Sequence, residues 1–193
     1  AERLQDSLKK KYKRLDFVVG MFERDLFSDI FESIEQKKPY IPVDEKPANS
    51  YFFASSSYEK GSFQSYVPIM NGCNNFCTYC IVPYVRGREV SRPLPDILVK
   101  LDLLADKGVR EITLLGQNVN SYNWEDPITH EIIQFPQLLQ KVSRHIEDKN
   151  IIRWIRFMSS HPKDLSNELI EVIAQEKAVC KLLHLPVQNG SNR

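Results

Sequence analysis

From Ser65 onward, short apolar runs alternate with stripes at helical spacing, a pattern that predicts strands and helices in turn. Tyr66–Met70 reads as a first strand, and Ile97, Leu98, Leu101, Leu104 and Ala105 mark one face of a helix over Pro95–Lys107, with Gly108 placed as the residue after its cap. Arg110–Leu115 reads as a second strand. Phe135, Leu138, Leu139, Val142 and Ile146 mark a second helix, Ile151–Met158 a third strand, Leu165–Ala174 a third helix and Lys181–Leu185 a fourth strand. Strands that alternate with helices are the signature of an α/β fold with about four parallel strands, because a parallel pair needs a crossover connection. In such folds the functional loops gather at the C-terminal ends of the strands.

The N-terminal part reads differently. Leu4, Leu8 and Tyr12 recur at helical spacing, Asp16–Gly20 is strand-like, and Phe27, Ile30, Phe31 and Ile34 form a second apolar stripe. Residues 1–37 therefore read as helix, short strand, helix, with a strand edge and an apolar face that favour association or disorder. Residues 38–64 hold Pro39, Pro42, Pro47 and Ser55–Ser57, a composition that breaks regular structure and predicts an interdomain linker. Residues 65–193 carry the alternating strand and helix pattern.

The chain has 193 residues and 42% hydrophobic content, enough for one sizeable core. Its formal net charge of +1 gives no global basic field, so any nucleic-acid contact must come from local patches such as Arg86, Arg88 and Arg92. No apolar run approaches a membrane span, and no secretory segment is visible. A cytoplasmic location without membrane contact is the expectation.

Three of the four cysteines lie together, at Cys73, Cys77 and Cys80, in a CxxxCxxC run. On a helix this spacing would line the sulfurs along one face, so a loop is expected. Gly72 supplies backbone freedom before the first cysteine, and Asn74 and Asn75 tolerate the dihedrals of a tight turn. Three thiolates with an open fourth position suit an iron-sulfur cubane that admits a further ligand. Zinc is the alternative, with Cys180 or a histidine as fourth ligand, which would make the chain a non-catalytic zinc or RNA-binding module. Disulfides are not expected, given few cysteines and their clustering.

The flanks of this run carry a resemblance. Asn71–Pro93, Gly108–Tyr122, Ser159–Pro162 and His184–Ser191 together resemble the radical S-adenosylmethionine (SAM) methylthiotransferase family, and Leu114–Asn120 is similar to its tRNA-2-methylthio-N(6)-dimethylallyladenosine synthase branch. The resemblance implies that residues 1–37 are the C-terminal remnant of the N-terminal methylthiotransferase domain and residues 65–193 the first part of the radical SAM core domain, a partial (βα) barrel of about four parallel strands, with a [4Fe-4S] cluster held by Cys73, Cys77 and Cys80. SAM would chelate the open iron and be cleaved to a 5'-deoxyadenosyl radical. The reaction implied is addition of a methylthio group to carbon 2 of isopentenylated adenosine beside the anticodon of tRNA. A flavodoxin or ferredoxin would be the electron donor. A ribosomal-protein aspartate or threonylcarbamoyl-adenosine tRNA is the alternative acceptor. The family also implies a second [4Fe-4S] cluster, whose ligands are absent from this sequence, so the chain alone is expected to bind one cluster and cleave SAM at best.

Four further residues are candidates for SAM contact on the same resemblance. Tyr79 would pack beside the adenine or else shield the cluster. Gln117 would hold the SAM amino group or else cap a polar loop, and Gln188 would bond the ribose hydroxyls. Strand alternation puts Arg156 on one face with Trp154 and Met158. It would either face the barrel interior and the SAM carboxylate or point outward to solvent.

Overall fold

The computed structural model describes residues 5–15, 17–18, 27–37, 61–149, 151–188 and 190. Among them the regular elements are α1 (Gln5–Lys11), α2 (Phe27–Glu35), β1 (Gln64–Pro68), β2 (Met70–Asn71), α3 (Val82–Arg86), β3 (Val90–Ser91), α4 (Leu94–Asp106), β4 (Glu111–Leu115), β5 (Asn123–Glu125), β6 (Ile132–Gln134), α5 (Phe135–Lys149), β7 (Trp154–Phe157) and α6 (Asn167–Gln175). The chain divides into two units, one of Phe53–Gly72 and Ser91–Arg193, the other of Ala1–Phe52 and Cys73–Val90.

In the first unit, β1, β4 and β7 form a parallel sheet in that order. Each new strand is added on the same side of the last, and α4, α5 and α6 contribute to one core against one face. That winding produces an open, unclosed parallel sheet consistent with part of a (βα) barrel, whereas a doubly wound sheet would reverse its strand order. The core joins Ile97, Leu101 and Leu104 of α4 to Ile112 and Leu114 of β4, Leu138, Leu139 and Val142 of α5, and Ile155 and Phe157 of β7. Phe135 meets Phe157 edge to face at 5.1 Å between centroids. Each fully buried aliphatic side chain here contributes about 1.5–3 kcal/mol.

The helix ends follow the sequence. Pro95 sits in the first turn of α4, where a missing N–H costs nothing, and Gly108, at φ 82°, ends it with its N–H donating to the Ala105 carbonyl at 2.8 Å. Ser166 caps α6, its hydroxyl accepting from the Leu169 N–H at 3.1 Å.

The fourth strand expected at Lys181–Leu185 is not formed. One parallel bridge, Ile155 to Val179, occupies the free edge of β7 instead, with the Ile155 N–H on the Ala178 carbonyl at 2.8 Å and the Cys180 N–H on the Ile155 carbonyl at 2.9 Å. Lys181 explains why pairing stops there: its ammonium donates to the Ile173 and Glu176 carbonyls at the end of α6 and draws the chain off the sheet edge. A β5–β6 hairpin, absent from the sequence reading, is closed by Asp126, whose Oδ1 accepts from the N–H groups of Ile128 at 2.8 Å and Thr129 at 3.0 Å.

In the second unit α1 and α2 fall on the expected helical stripes. Ile30 is buried, while Phe27, Phe31 and Ile34 are exposed, with Phe27 and Phe31 stacked at 6.2 Å. Phe17 and Val18 have no regular structure, and the remainder of the expected Asp16–Gly20 strand lies outside the described residues, as do residues 38–60 of the expected linker.

Candidate active site

The cysteine run is a loop, as its spacing requires. Cys73, Cys77 and Cys80 are all half-buried and none is in a disulfide. The Cys73 N–H donates to the Gly87 carbonyl at 3.3 Å and the Cys80 N–H to the Cys77 carbonyl at 2.9 Å, so backbone bonds define the start and the end of the run. The left-handed residues differ from the expectation. Gly72 is at φ 79°, as foreseen, but Phe76, not Asn74 or Asn75, takes the second left-handed position at φ 48°. The asparagines bond instead: Asn74 is tied to Glu89, and an Asn75 backbone hydrogen bond reaches Cys73. The strained Phe76 is held by its ring, which meets Tyr84 edge to face at 5.8 Å and lies under the Arg88 guanidinium at 4.4 Å.

Burial pushes the Cys73 thiol above its ordinary value; the Asn75 hydrogen bond opposes this, and the charges of Glu89, Cys77 and Cys80 reinforce it. Among the described residues no group of three or more His, Cys, Asp or Glu side chains is gathered so as to hold a single metal ion. A cubane makes a different demand, because each thiolate ligates a different iron and a cluster sits between them. The donor set, three thiols on one loop, fits an iron-sulfur cluster in its chemistry. Tyr79, 68% exposed, shares a hydrogen bond with Cys77 and is no core aromatic.

In the sheet unit, two further motifs sit at the C-terminal ends of β4 and β7 and are bonded together. Asn118 donates from Nδ2 to Asp164 at 2.7 Å and accepts at Oδ1 from the His161 N–H at 3.1 Å. Asn120 accepts from the same N–H at 2.9 Å and donates to the His161 carbonyl at 3.1 Å, while the Val119 N–H meets the Ser159 carbonyl at 3.0 Å. Ser159 is left-handed at φ 67°, so this network fixes a strained turn. The sequence reading quoted these runs but assigned no role to Asn118, Asn120 or Asp164. Asparagines two apart after a strand were the available signal.

The remaining candidates are placed as follows. Gln117 accepts at Oε1 from the Gly72 N–H at 2.6 Å. Arg156 lies on the sheet face opposite the helices, in register with Thr113, and its Nε meets Glu111 Oε1 at 3.0 Å, with side-chain exposures of 41% and 13%. Gln188 is half-buried and donates to the Pro186 carbonyl at 3.2 Å, a local turn rather than a strand end. Arg92, read as a solvent-facing phosphate contact, is instead buried at 8% exposure. Its guanidinium donates to the carbonyls of Pro68 at 3.4 Å and Asp96 at 3.2 Å, bracing the end of β1 against α4.

Comparison with known proteins gives these features a context. The Radical SAM superfamily model matches residues 67–193. The chain is 56% identical over 201 residues to the tRNA-2-methylthio-N(6)-dimethylallyladenosine synthase of Treponema denticola, covering 100% of this chain and 44% of that relative. It is 46% identical over 194 residues to the protein of the same name from Phocaeicola vulgatus, covering 100% of this chain and 41% of that one. Among solved structures it is similar, at TM-score 0.44 and 20% identity over 59% of this chain and 20% of the other, to a radical S-adenosylmethionine methyltransferase from Kitasatospora setae. The chain spans less than half the length of the curated relatives it matches. It belongs to the radical SAM superfamily, matching over part of their length the tRNA-2-methylthio-N(6)-dimethylallyladenosine synthases.

Proposed function

We propose that this chain is the cluster- and SAM-binding part of a methylthiotransferase that adds a methylthio group to carbon 2 of isopentenylated adenosine next to the tRNA anticodon. The observation that carries the proposal is the CxxxCxxC run, a loop with three free, half-buried cysteines. Cys73, Cys77 and Cys80 would hold a [4Fe-4S] cluster, each losing its proton on assembly. When bound, the cluster would supply the electron for reductive cleavage of SAM.

The chain's own groups would bind and orient. The exposed Tyr79 ring offers a flat face to an adenine. Arg156 is a partly exposed cation that could exchange Glu111 for a carboxylate ligand. Gln188 offers an amide to ribose hydroxyls. A flavodoxin or ferredoxin would deliver the electron, in a cytoplasm that keeps the thiols reduced. Among the described residues no helix is long and apolar enough to cross a membrane.

The acceptor is tested in cells lacking the native gene and supplied with the full-length protein, by mass analysis of tRNA nucleosides and of ribosomal proteins. Methylthiolated isopentenyladenosine with wild type, and none with Cys77→Ser, is the expected result. Methylthiolation of threonylcarbamoyl-adenosine or of a ribosomal-protein aspartate instead would overturn the assignment of acceptor.

A further inference from the structure

We propose that Gln117 is a positioning residue for the cysteine loop, its side chain extending the parallel ladder of the sheet to the residue before Cys73. The ladder pairs β1 with β4 up to Pro68 opposite Leu115, and the Ile69 N–H adds one more backbone bond to the Leu115 carbonyl at 2.9 Å. Beyond that point β4 has ended. Past that end the Gly72 N–H donates to Gln117 Oε1 at 2.6 Å, between residues 45 apart in sequence. Since a backbone N–H is the donor, the partner atom must be the amide oxygen, which removes the usual ambiguity in orienting a glutamine.

Two neighbouring features make this reach possible. A Cβ on Gly116 would overlap Met70 Cγ and come within 3.0 Å of its Sδ, so any larger residue here would have to displace the buried Met70 side chain. Gly72 is itself buried and left-handed at φ 79°, and such a backbone needs a bond to hold it. Gln117 supplies that bond. It fixes where the chain leaves the sheet and therefore where Cys73, one residue on, begins its turn. This role rests on the reading of Cys73, Cys77 and Cys80 as cluster ligands, and it differs from a direct contact between Gln117 and SAM: the tether exists before any ligand arrives.

The test uses full-length protein, anaerobic, before and after reconstitution, with hydrogen exchange resolved at single amides. In Gln117→Leu, and in Gln117→Asn, whose amide is too short to reach, the Gly72 amide should exchange about tenfold faster than in wild type, the effect of losing one net hydrogen bond. Gln117→Glu keeps an acceptor at the same reach and should stay within about twofold of wild type. Ile69 protection should be unchanged throughout, reporting an intact sheet. After reconstitution the Leu and Asn variants should lose the iron of this one cluster to a chelator several-fold faster than wild type. Unchanged Gly72 exchange in both variants overturns the tether, and so does wild-type iron retention in variants whose Gly72 exchanges fast. If wild type takes up no iron, the cluster reading fails on its own, while the Gly72 comparison still decides the tether.

Discussion

Asn74 and Glu89 are joined by three hydrogen bonds across fifteen residues of sequence: the Asn74 N–H and Nδ2 donate to the two carboxylate oxygens at 3.1 and 3.3 Å, and the Glu89 N–H donates back to Asn74 Oδ1 at 3.3 Å. The pair closes the loop that contains Cys77 and Cys80. Its bonds are exposed, so each contributes at the low end of about 0.5–1.5 kcal/mol. Glu89→Ala should leave the fold intact and speed iron loss to a chelator by about three- to tenfold, with Glu89→Gln in between. Equal rates in all three proteins would assign the loop's closure to other contacts.

Gly116 and Met70 give a packing prediction. A Cβ at Gly116 collides with the Met70 side chain and approaches Val119 Cγ1 at 3.3 Å, in a region where Met70 and Val119 are buried. Gly116→Ala should destabilise by about 1–3 kcal/mol, as overpacking does. Combined with Met70→Ala it should cost less than the sum of the two single changes, measurable by urea denaturation as a double-mutant cycle.

The α4–α5 contact depends on pH through Asp102. Burial alone would push its carboxyl up, but hydrogen bonds from Lys149 at 2.8 Å and His145 at 2.6 Å outweigh it and hold the group below the usual aspartate range. A carboxyl depressed in the native state contributes stability above its unfolded pKa, near 4, and loses that contribution as pH falls through the lower native value. Asp102→Asn should cost about 0.2–1 kcal/mol per lost ion pair at pH 7 and flatten the fall in stability below about pH 4. Parallel acid titrations of the two proteins by circular dichroism would contradict this.

Tyr122 is fully buried, and its hydroxyl donates to the Arg92 carbonyl at 2.7 Å. Burial pushes this phenol far above its ordinary value, with Arg92 opposing, so the hydroxyl remains a donor over the accessible pH range. Tyr122→Phe keeps the ring and leaves that carbonyl short of one bond, which should cost about 1–3 kcal/mol in a denaturant titration.

The parts of the fold that were legible in the sequence are those decided by burial. Ile155 and Phe157 alternate with Trp154 and Arg156 along β7, and the observed exposure alternates with them. The helical stripes of α4 and α5 likewise fall on their buried faces. What was not legible depends on single polar contacts between distant residues. The fourth strand is displaced to Val179 because Lys181 reaches the carbonyls of α6, and Arg92 is buried because carbonyls of Pro68 and Asp96 receive it. Neither periodicity nor charge encodes such a choice. That the cysteine run is a loop was readable from its spacing, while its left-handed Phe76 was not, since the strain is held by Tyr84 and Arg88.

The central claim is most directly tested by anaerobic reconstitution of the protein, comparing Cys73→Ser, Cys77→Ser, Cys80→Ser and Cys180→Ser with wild type. Each of the first three should lose one cluster, about four iron and four sulfide, and with it the change that SAM produces in the reduced cluster's electron paramagnetic resonance signal; Cys180→Ser should keep both. Full iron content and an unaltered response to SAM in any of the first three variants would contradict the account.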